Sequence, residues 1–507
     1  MAFLQKEDFE LLKKYGGKPK TTENSWAYGP LQQFYYKLRE IVYPCKRHGF
    51  NVKIIARPTD QWQRKYEFYQ WARLLPKYCP DNTLDDCKIF FVVGFLGNSF
   101  YLQIQTNFQK IPEDKWPTNA VNIRESTEEN ISVDEICKMS KEEITDIVLN
   151  YCNKHRHDFL LFGKEFEIRS CINLLNMEQY TSLLINNYNL IFTGAPGTGK
   201  TYLAKKLAEY LILGHELGDE EKASDEDKAK MAEQYDFVQF HPSMDYTDFV
   251  EGLRPIDDGS GNVTFKREDG TFMAFCRKAL DAYTNATDKD NAPKYVFVID
   301  EINRGELSKI FGELFFSIDP GYRGTKGKVR TQYNNLWKNS QDDSLKTFGG
   351  SEFFYVPKNV YIIGTMNDID RSVDTMDFAM RRRFAFKEVL AENRQDMIRE
   401  NEALTAFYDV IKEHMDNLNL CILTIPGLST SYQIGAAYYL KLENYLNESK
   451  ELNNESWEQL WENHIRGLLF EYLRGDSDIE SNLKSLEDAF FLKTKYKNDN
   501  GEIVIEE

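Results

Sequence analysis

The feature that most constrains this chain is a glycine-rich loop that ends in lysine and threonine. Residues 194–201 read Gly-Ala-Pro-Gly-Thr-Gly-Lys-Thr, which is the G-x-x-x-x-G-K-T pattern of a phosphate-binding loop. The apolar run 190–193 before it predicts a strand, and residues 202–211 after it predict a helix. Glycines let backbone N–H groups surround a phosphate, and the N-terminus of a helix adds positive potential. The sequence therefore predicts a nucleotide-binding α/β domain.

The residues of this loop have distinct expected roles. We expect the ammonium of Lys200 to reach the β- and γ-phosphate oxygens, and the hydroxyl of Thr201 to ligate Mg²⁺. The predicted nucleotide contacts are Gly194, Ala195, Pro196, Gly197, Thr198, Gly199, Lys200, Thr201 and Tyr202.

Two later apolar runs end in polar residues that suit nucleotide hydrolysis. The run 296–299 is followed by Asp300 and Glu301. We expect Asp300 to hold Mg²⁺ through water and Glu301 to polarise the attacking water. The run 361–364 leads to Asn367, whose amide would lie near the γ-phosphate and the lytic water. A buried strand that ends in two acids is common and says little about function by itself. Its occurrence about 100 residues after a phosphate-binding loop makes the prediction of nucleotide hydrolysis specific.

Three consecutive arginines follow the predicted site residue Asn367. Arg381, Arg382 and Arg383 would form either a basic surface turn or an arginine finger for a neighbouring subunit. An arginine supplied in trans stabilises the charge of the transition state, and it requires an oligomer. We favour the finger, with Arg382 and Arg383 as candidate catalytic residues, and the sequence leaves open which arginine acts.

Several motifs in order resemble the McrB family, the nucleotide-hydrolysing subunits of McrBC-type, modification-dependent (type IV) restriction systems. The segment 366–372, Met-Asn-Asp-Ile-Asp-Arg-Ser, resembles the MNxxDRS signature of that family. The segments 240–255, 300–305 and 381–384 are also similar, so the resemblance covers roughly 170–475. Gln433-Ile434-Gly435 resembles the family's QIGHSYF pattern, but Ala436 and Ala437 stand where His and Ser are usual. We therefore do not assign that segment the sensor role that the resemblance would otherwise imply.

The resemblance implies a fold, an activity and partners. It implies an α/β fold with an AAA+ P-loop NTPase core and a C-terminal helical lid. The residue patterns of the N-terminal segment, and not the resemblance, predict a separate mixed α/β domain before this core. The resemblance also implies GTP and Mg²⁺ as cofactors, a hexameric ring of this chain, and a separate McrC-like subunit that carries the nuclease. By the same resemblance, Asn367 and Asp370 would position the lytic water and couple hydrolysis to the McrC-like subunit. No NKxD guanine-binding motif is present, so ATP remains the alternative.

Charge divides the 507-residue chain into a basic head and an acidic body. The formal net charge is −17, yet residues 1–110 contain 17 Lys and Arg against 10 Asp and Glu. The same segment holds 22 of the 70 aromatic residues. In the family this position holds a DNA-binding domain that varies between members. Candidate phosphate contacts are Lys46, Arg47, His48, Arg57, Arg64, Lys65 and Arg73, and candidate stacking residues are Trp26, Trp62, Tyr66 and Trp71.

These N-terminal residues also have a structural interpretation. Aromatic residues at helical spacing are more often core than pocket, and a modest positive charge is often only a solvated face. We expect helices over 31–43 and 62–75, a strand over 51–56, and a hairpin from 88–95 and 99–106.

The predicted domains follow from these shifts in composition. They are an N-terminal recognition domain over 1–112, a helical connector over 113–165, an AAA+ core over 166–390 and a helical lid over 391–507. Within the connector we expect a helix over 132–153, with Ser140 and Glu143 as a capping box. No apolar run approaches the roughly 20 residues that span a bilayer, and no cysteine pair has zinc spacing. We expect a cytoplasmic protein with reduced thiols and no membrane partner.

Three functions remain open on the sequence. We favour a motor and DNA-recognition subunit of a McrBC-like, anti-phage restriction complex, in which nucleotide hydrolysis drives DNA translocation and a partner cleaves DNA. The sequence leaves open whether that DNA is modified. The first alternative is a MoxR-like AAA+ ATPase that remodels protein complexes. The second is a non-hydrolysing switch, against which the intact set of Lys200, Asp300, Glu301 and Asn367 argues.

Overall fold

The computed structural model divides the chain into two compact units, Met1–Gln179 and Tyr180–Glu507. The described residues are 2–55, 65–67, 69–77, 79, 82, 87–96, 99–106, 126–165, 168–217, 223–257, 263–340, 342–369, 378–499 and 502–506. Among their helices, none is both long enough and apolar enough to cross a bilayer.

The first unit is built on a five-stranded antiparallel sheet in the order β1-β2-β3-β4-β5. Its strands are β1 Phe50–Ile55, β2 Tyr69–Pro76, β3 Ile89–Leu96, β4 Ser99–Thr106 and β5 Glu129–Ser132. The predicted strand over 51–56 and the predicted hairpin of 88–95 with 99–106 are confirmed, since β3 pairs with β4 over eight residue pairs. The strand β3 is buried along seven of its eight residues, as its apolar composition requires.

Helices pack against this sheet through regularly spaced apolar side chains. In the helix Tyr28–Val42, the residues Leu31, Phe34, Leu38 and Ile41 follow the helical repeat and are all buried. This confirms the helix predicted over 31–43. The α-helices of the unit are Lys6–Tyr15, Tyr28–Val42, Val133–Ile136, Lys141–Lys154 and Arg156–Glu165, and helix Arg169–Asn187 contains the boundary between the units.

The helix predicted over 62–75 is wrong within the described residues, because the chain from Tyr69 to Pro76 is strand β2. Its side chains alternate. Ala72 and Leu74 enter the main core, whereas Trp71 contacts a second, smaller apolar cluster. Alternation with a period of two is the pattern of a strand, and hydrogen bonding to β3 stabilises this segment as a strand and not as a helix. The aromatic spacing that suggested a helix is coincidental.

The single helix predicted over 132–153 is two helices, Val133–Ile136 and Lys141–Lys154. The predicted capping box is confirmed at the start of the second helix. The N–H of Glu143 donates to Ser140 Oγ at 3.2 Å, and the N–H of Ser140 donates to Glu143 Oε2 at 2.7 Å. Ile144 and Val148 of this helix lie in the core of the first unit. The domain boundaries given above stay predictions.

The second unit contains a five-stranded parallel sheet in the order β12-β6-β11-β10-β7. Its strands are β6 Asn189–Thr193, β7 Tyr235–Gln239, β10 Tyr295–Asp300, β11 Val360–Thr365 and β12 Ala385–Glu388. The strands β10 and β11 are buried along their whole length, as is usual for parallel strands that are covered on both faces. In such a sheet, ligands bind at the carboxyl ends of the strands near a reversal of strand order. That reversal lies at β6, the strand before the phosphate loop.

Helices and one hairpin surround this sheet. The hairpin pairs β8 Glu251–Asp257 with β9 Val263–Asp269. The α-helices are Lys200–Leu213, Asp225–Gln234, Tyr246–Phe249, Thr271–Asn285, Leu307–Phe311, Leu314–Ser317 and Phe378–Arg381. The helix Asp225–Gln234 begins after the N-cap Ser224 and has three acidic residues in its first turn.

The chain after residue 390 is mostly helical, as predicted for the lid. Its α-helices are Met397–Glu400, Tyr408–Thr424, Ala436–Tyr439, Asn454–Leu460, Arg466–Tyr472 and Ile479–Phe490. A π-helical turn, Trp461–Ile465, joins two of them. A hairpin of β13 Tyr496–Asp499 and β14 Glu502–Ile505 follows. These helices share an apolar core that includes Ile411, Leu418 and Phe490.

Candidate nucleotide-binding and hydrolysis site

The predicted phosphate loop lies between β6 and the helix Lys200–Leu213. Glycine is required at two positions because the lid and the chain after β12 pass close to the backbone of the loop. A Cβ on Gly194 would lie 2.4 Å from the carbonyl oxygen of Val389, and a Cβ on Gly197 would lie 2.7 Å from Tyr438 Cδ2. Both glycines also have φ in the left-handed region, at +135° and +75°. Only glycine fits at these two positions.

Lys200 is buried within the curve of the loop, with 7% of its surface exposed. Its ammonium donates to the carbonyl oxygens of Gly194 at 3.0 Å and Ala195 at 2.7 Å. Burial lowers the pKa of Lys200 to about 8, although Glu301 and Asp368 nearby act to raise it. Phosphate oxygens in the loop would favour the charged form further, so phosphate binding and protonation of Lys200 reinforce each other.

The loop and the neighbouring strands bring hard oxygen atoms together. Thr201 Oγ1 donates to Asp300 Oδ1 at 2.6 Å, and Thr365 Oγ1 donates to the same carboxylate oxygen at 2.6 Å. Mg²⁺ in nucleotide sites prefers a small number of protein oxygens together with phosphates and water. A hydroxyl and a carboxylate beside the phosphate loop fit that preference. No group of three or more Asp, Glu, His or Cys side chains suited to a metal occurs in the described ranges.

Glu301 is held firmly at the end of β10. The amide of Asn367 donates to Glu301 Oε1 at 2.7 Å, and Arg304 Nε donates to Oε2 at 3.3 Å. The backbone of Glu301 has a φ of +50°, which is rare for a residue with a side chain. Such strained backbone often marks functional sites. The carboxylate is therefore oriented by two donors from two different segments.

Two residues of this site, Thr365 and Arg304, are not among those predicted from the sequence. Thr365 bonds Asp300 and also accepts from the N–H of Glu301 at 3.2 Å. Thr365 could have been predicted from the sequence. It is the last residue of the strand before Asn367, and because parallel strands have their carboxyl ends at the same edge of the sheet, it lies near Asp300. Arg304 lies three residues after Glu301 and pairs with it, but an exposed arginine near an acid is too common to be a signal.

The lid contacts the phosphate loop through its backbone. The N–H of Gly435 donates to the carbonyl of Pro196 at 3.2 Å, and the N–H of Ala437 donates to the carbonyl of Gly197 at 3.0 Å. These bonds need no particular side chain at position 437. The replacement of the family's usual His and Ser by alanines therefore leaves this contact intact.

The three arginines differ in environment. Arg383 is 9% exposed, and its guanidinium donates to the carbonyl of Ala379 and lies 3.7 Å from Asp319. Arg381 lies over the ring of Phe386 at 5.1 Å. Arg382 is exposed at the end of the helix Phe378–Arg381. Asp370, the remaining predicted catalytic residue, lies outside the described residues.

The parallel sheet, the phosphate loop and the residues at the ends of β10 and β11 define an AAA-type P-loop NTPase domain. The family model "AAA domain (dynein-related subfamily)" matches residues 189–384, which confirms this class for the central part of the chain. The resemblance to McrB is also confirmed. The chain is 35% identical over 258 residues to the type IV methyl-directed restriction enzyme EcoKMcrB subunit of Escherichia coli (strain K12).

That match covers 50% of this chain and 47% of the E. coli protein. A second relative, the type II restriction enzyme BsuMI component YdiS of Bacillus subtilis (strain 168), is 26% identical over 222 residues, which cover 39% of this chain and 56% of that protein. The chain thus spans about half the length of the curated relatives it matches. A solved structure described as a putative ATPase from Cytophaga hutchinsonii covers 70% of this chain and 91% of its own, at 12% identity and a TM-score of 0.25, too low to bear on the fold.

Proposed function

We propose that this chain is the nucleotide-hydrolysing and DNA-recognising subunit of a restriction system, and that a separate McrC-like subunit carries the nuclease. The observation that carries this proposal is the Glu301 carboxylate, held at 2.7 Å by Asn367 beside the Thr201–Asp300 pair. Both curated relatives reported above are named as components of restriction enzymes, which supports the biological setting. GTP is the favoured nucleotide and ATP the alternative.

The chain's own residues suit in-line attack of water on a terminal phosphate. The loop N–H groups and Lys200 would bind the phosphates, and Thr201 and Asp300 would hold Mg²⁺. When bound, Mg²⁺ would neutralise charge on the transferred phosphoryl group. Glu301 would accept a proton from the attacking water, and the amide of Asn367 would keep its carboxylate in position. Asp370 remains a proposed partner of Asn367 in positioning that water.

The proposed site is completed by a neighbouring copy of the chain. Arg382 is exposed and lies four residues, about one helical turn, after Phe378, which is 91% exposed. An exposed phenylalanine beside an exposed arginine suits an interface between subunits, in which the arginine reaches the neighbour's γ-phosphate. A hexameric ring is the proposed assembly. Arg383 is engaged within its own subunit, so we assign it a structural role in placing Arg382.

The first unit offers a basic surface for DNA. The Tyr43 basic patch consists of Arg39, Lys46, Arg47 and Lys77 around Tyr43. Arg39 and Lys46 lie 4.6 and 4.5 Å from the Tyr43 ring, and Lys77 donates to the carbonyl of Lys46 at 3.2 Å. The Lys46 and Arg47 side chains are exposed and would contact phosphates. Tyr66 is buried and donates to the carbonyl of Asn24, so it is a core residue and not a stacking platform.

The other candidate DNA contacts have varied positions. Trp26 is 56% exposed and packs edge-on against Tyr15, which leaves it accessible to a base. Trp71 is partly buried beside Arg73 and Phe90. Lys65 and His48 are exposed. Arg57, Trp62 and Arg64 lie outside the described residues.

Binding of the full chain to a labelled duplex tests the DNA assignment. We expect Lys46→Ala/Arg47→Ala to weaken binding for every sequence and to reduce the slope of log affinity against log salt by about two, because two phosphate contacts are lost. The matched control is Lys13→Ala/Lys138→Ala, which removes two exposed charges elsewhere on the same unit. Absence of binding by the wild-type chain at low salt, to methylated and unmethylated duplex alike, would favour the protein-remodelling alternative.

A further inference from the structure

The segment that carries Arg382 is joined to the strand before the phosphate loop by one buried side chain. Asn189 is the first residue of β6 and is fully buried. Its amide nitrogen Nδ2 donates to the carbonyl oxygen of Arg383 at 2.8 Å and to that of Ile318 at 2.8 Å. Both N–H groups of the amide are therefore used, and one of them holds the backbone directly after Arg382.

A third hydrogen bond fixes the orientation of this amide. Arg323 Nη2 donates to Asn189 Oδ1, so the amide nitrogen must face the two carbonyl groups. Arg323 is itself buried, and its Cζ lies 5.2 Å from the centroid of the Tyr188 ring. Burial lowers the pKa of Arg323 to about 10, so the guanidinium stays charged at neutral pH, and a charged donor makes the stronger hydrogen bond. Asn189 thus cannot turn without losing three bonds.

The segment held by Asn189 has little stability of its own. The helix Phe378–Arg381 has four residues, and a helix this short is not stable without tertiary contacts. Its anchors include the bond from Asn189, the approach of Arg383 to Asp319 at 3.7 Å and the pairing of β12 with β6. The carbonyl of Arg383 is the anchored group that directly follows Arg382. Its position therefore constrains the backbone from which the exposed Arg382 side chain projects.

The strand β6 separates this anchor from the nucleotide site of the same copy. Asn189 begins the strand, and Gly194, the first residue of the phosphate loop, follows its last residue. Five residues of extended strand span about 16 Å. Asn189 is therefore remote from the phosphates that its own copy would bind, and it is adjacent to the segment that would reach the neighbour's phosphates.

We propose that Asn189 is a positioning residue for Arg382, and that it thereby serves hydrolysis in the neighbouring copy of the chain and not in its own. This rests on the proposed function, in which Arg382 acts in trans. An amide suits this role because it satisfies two backbone carbonyls at once and accepts from Arg323. Aspartate has the same shape and can accept from Arg323, but a carboxylate donates to neither carbonyl. The Arg383 carbonyl would then lose its donor and face a negative charge, and the segment that carries Arg382 would shift.

Steady-state phosphate release by Asn189→Asp tests this role. We expect turnover to fall by about 10²-fold with nucleotide affinity unchanged, since displacement of a catalytic group by about 1 Å can cost this much. The matched control is Asn359→Asp. Asn359 is also buried, and it donates to the carbonyls of Ala279 and Pro293 at 2.9 and 2.8 Å, away from Arg382. Both variants should unfold at a lower temperature than the wild type, but only Asn189→Asp should lose turnover.

Mixed assemblies separate an effect on the neighbour from an effect on the same copy. Asn189→Asp mixed with an equal amount of Glu301→Gln should recover up to about a quarter of wild-type turnover, since one interface in four then pairs an intact site with a well-placed Arg382. Asn189→Asp mixed with Arg382→Ala should recover nothing, because neither subunit supplies a working arginine.

Recovery with Arg382→Ala would place the defect in the variant's own site and would overturn the proposal. Wild-type turnover by Asn189→Asp, or an equal loss of turnover in Asn359→Asp, would also overturn it. If Asn189→Asp does not bind nucleotide, Asn189→Ser, which adds no charge, should show the same pattern in the same mixtures. The mixture of Arg382→Ala with Glu301→Gln is the reference. No recovery there would refute the shared site of the proposed function, whereas recovery there alone would refute only the role of Asn189.

Discussion

Glu301→Gln is expected to lower the rate of nucleotide hydrolysis by about 10²-fold or more, because the water loses its general base. Glutamine keeps the size of the side chain and can still bond Asn367 through its carbonyl oxygen. Nucleotide binding should therefore be retained. The measurement is steady-state phosphate release, compared with the affinity for a fluorescent nucleotide analogue measured by titration.

Glu306→Gln is the matched control for this substitution. Glu306 lies five residues further along and pairs with Lys309 on the surface, at 2.5 Å. Its conversion to glutamine removes the same charge from the same region without touching Asn367 or Asp300. Equal phosphate release by the wild type and Glu301→Gln would remove Glu301 from the mechanism, whereas loss of activity in Glu306→Gln would point to a general effect of charge.

Arg382→Ala is expected to lower turnover by about 10³-fold while nucleotide affinity stays unchanged, since a finger in trans acts on the charge of the transition state. Arg383→Ala is expected to act differently. Loss of the buried guanidinium removes its bond to the carbonyl of Ala379 and its contact with Asp319. That variant should show a lower midpoint of thermal unfolding, whereas Arg382→Ala should unfold as the wild type does.

Mixing two inactive variants tests whether the site is shared between subunits. A ring that contains Arg382→Ala and Glu301→Gln subunits has some interfaces where an intact Arg382 faces an intact Glu301. We expect phosphate release to recover partly on mixing. If the mixture is no more active than the separate variants, hydrolysis does not use an arginine from a neighbouring copy.

The nucleotide site could be predicted from the sequence because each of its motifs is a short continuous segment, and the motifs follow one another along the chain in a recognisable order. The loop 194–201 requires glycine for steric reasons, and Asp300 and Glu301 follow an apolar run that is typical of a buried strand. The positions of Asp300 and Thr201 then follow from the parallel sheet, whose strands end at one edge. Their approach to 2.6 Å in the structure needed no unusual feature of the sequence.

Other features depend on contacts that no local pattern encodes. The strand at Tyr69–Pro76 resembled a helix because Trp71 and its aromatic neighbours share helical spacing by chance, and pairing with β3 overrides it. Tyr66 is buried in the core of the first unit, and its hydroxyl donates to the carbonyl of Asn24, 42 residues away. The ring of His414 stacks on that of Trp457, which lies 43 residues further along the chain. Long-range packing of this kind is decided by the whole fold.

The choice of nucleotide by the wild-type chain is the most direct test of the proposed activity. The measurement is phosphate release with GTP and with ATP, each in the presence of the other as competitor, and with Lys200→Ala as the control. We expect Mg²⁺-dependent phosphate release from GTP that ATP inhibits only weakly, and no release by Lys200→Ala. Preferred hydrolysis of ATP would contradict the choice of nucleotide, and unchanged turnover by Lys200→Ala would contradict the phosphate-loop assignment itself.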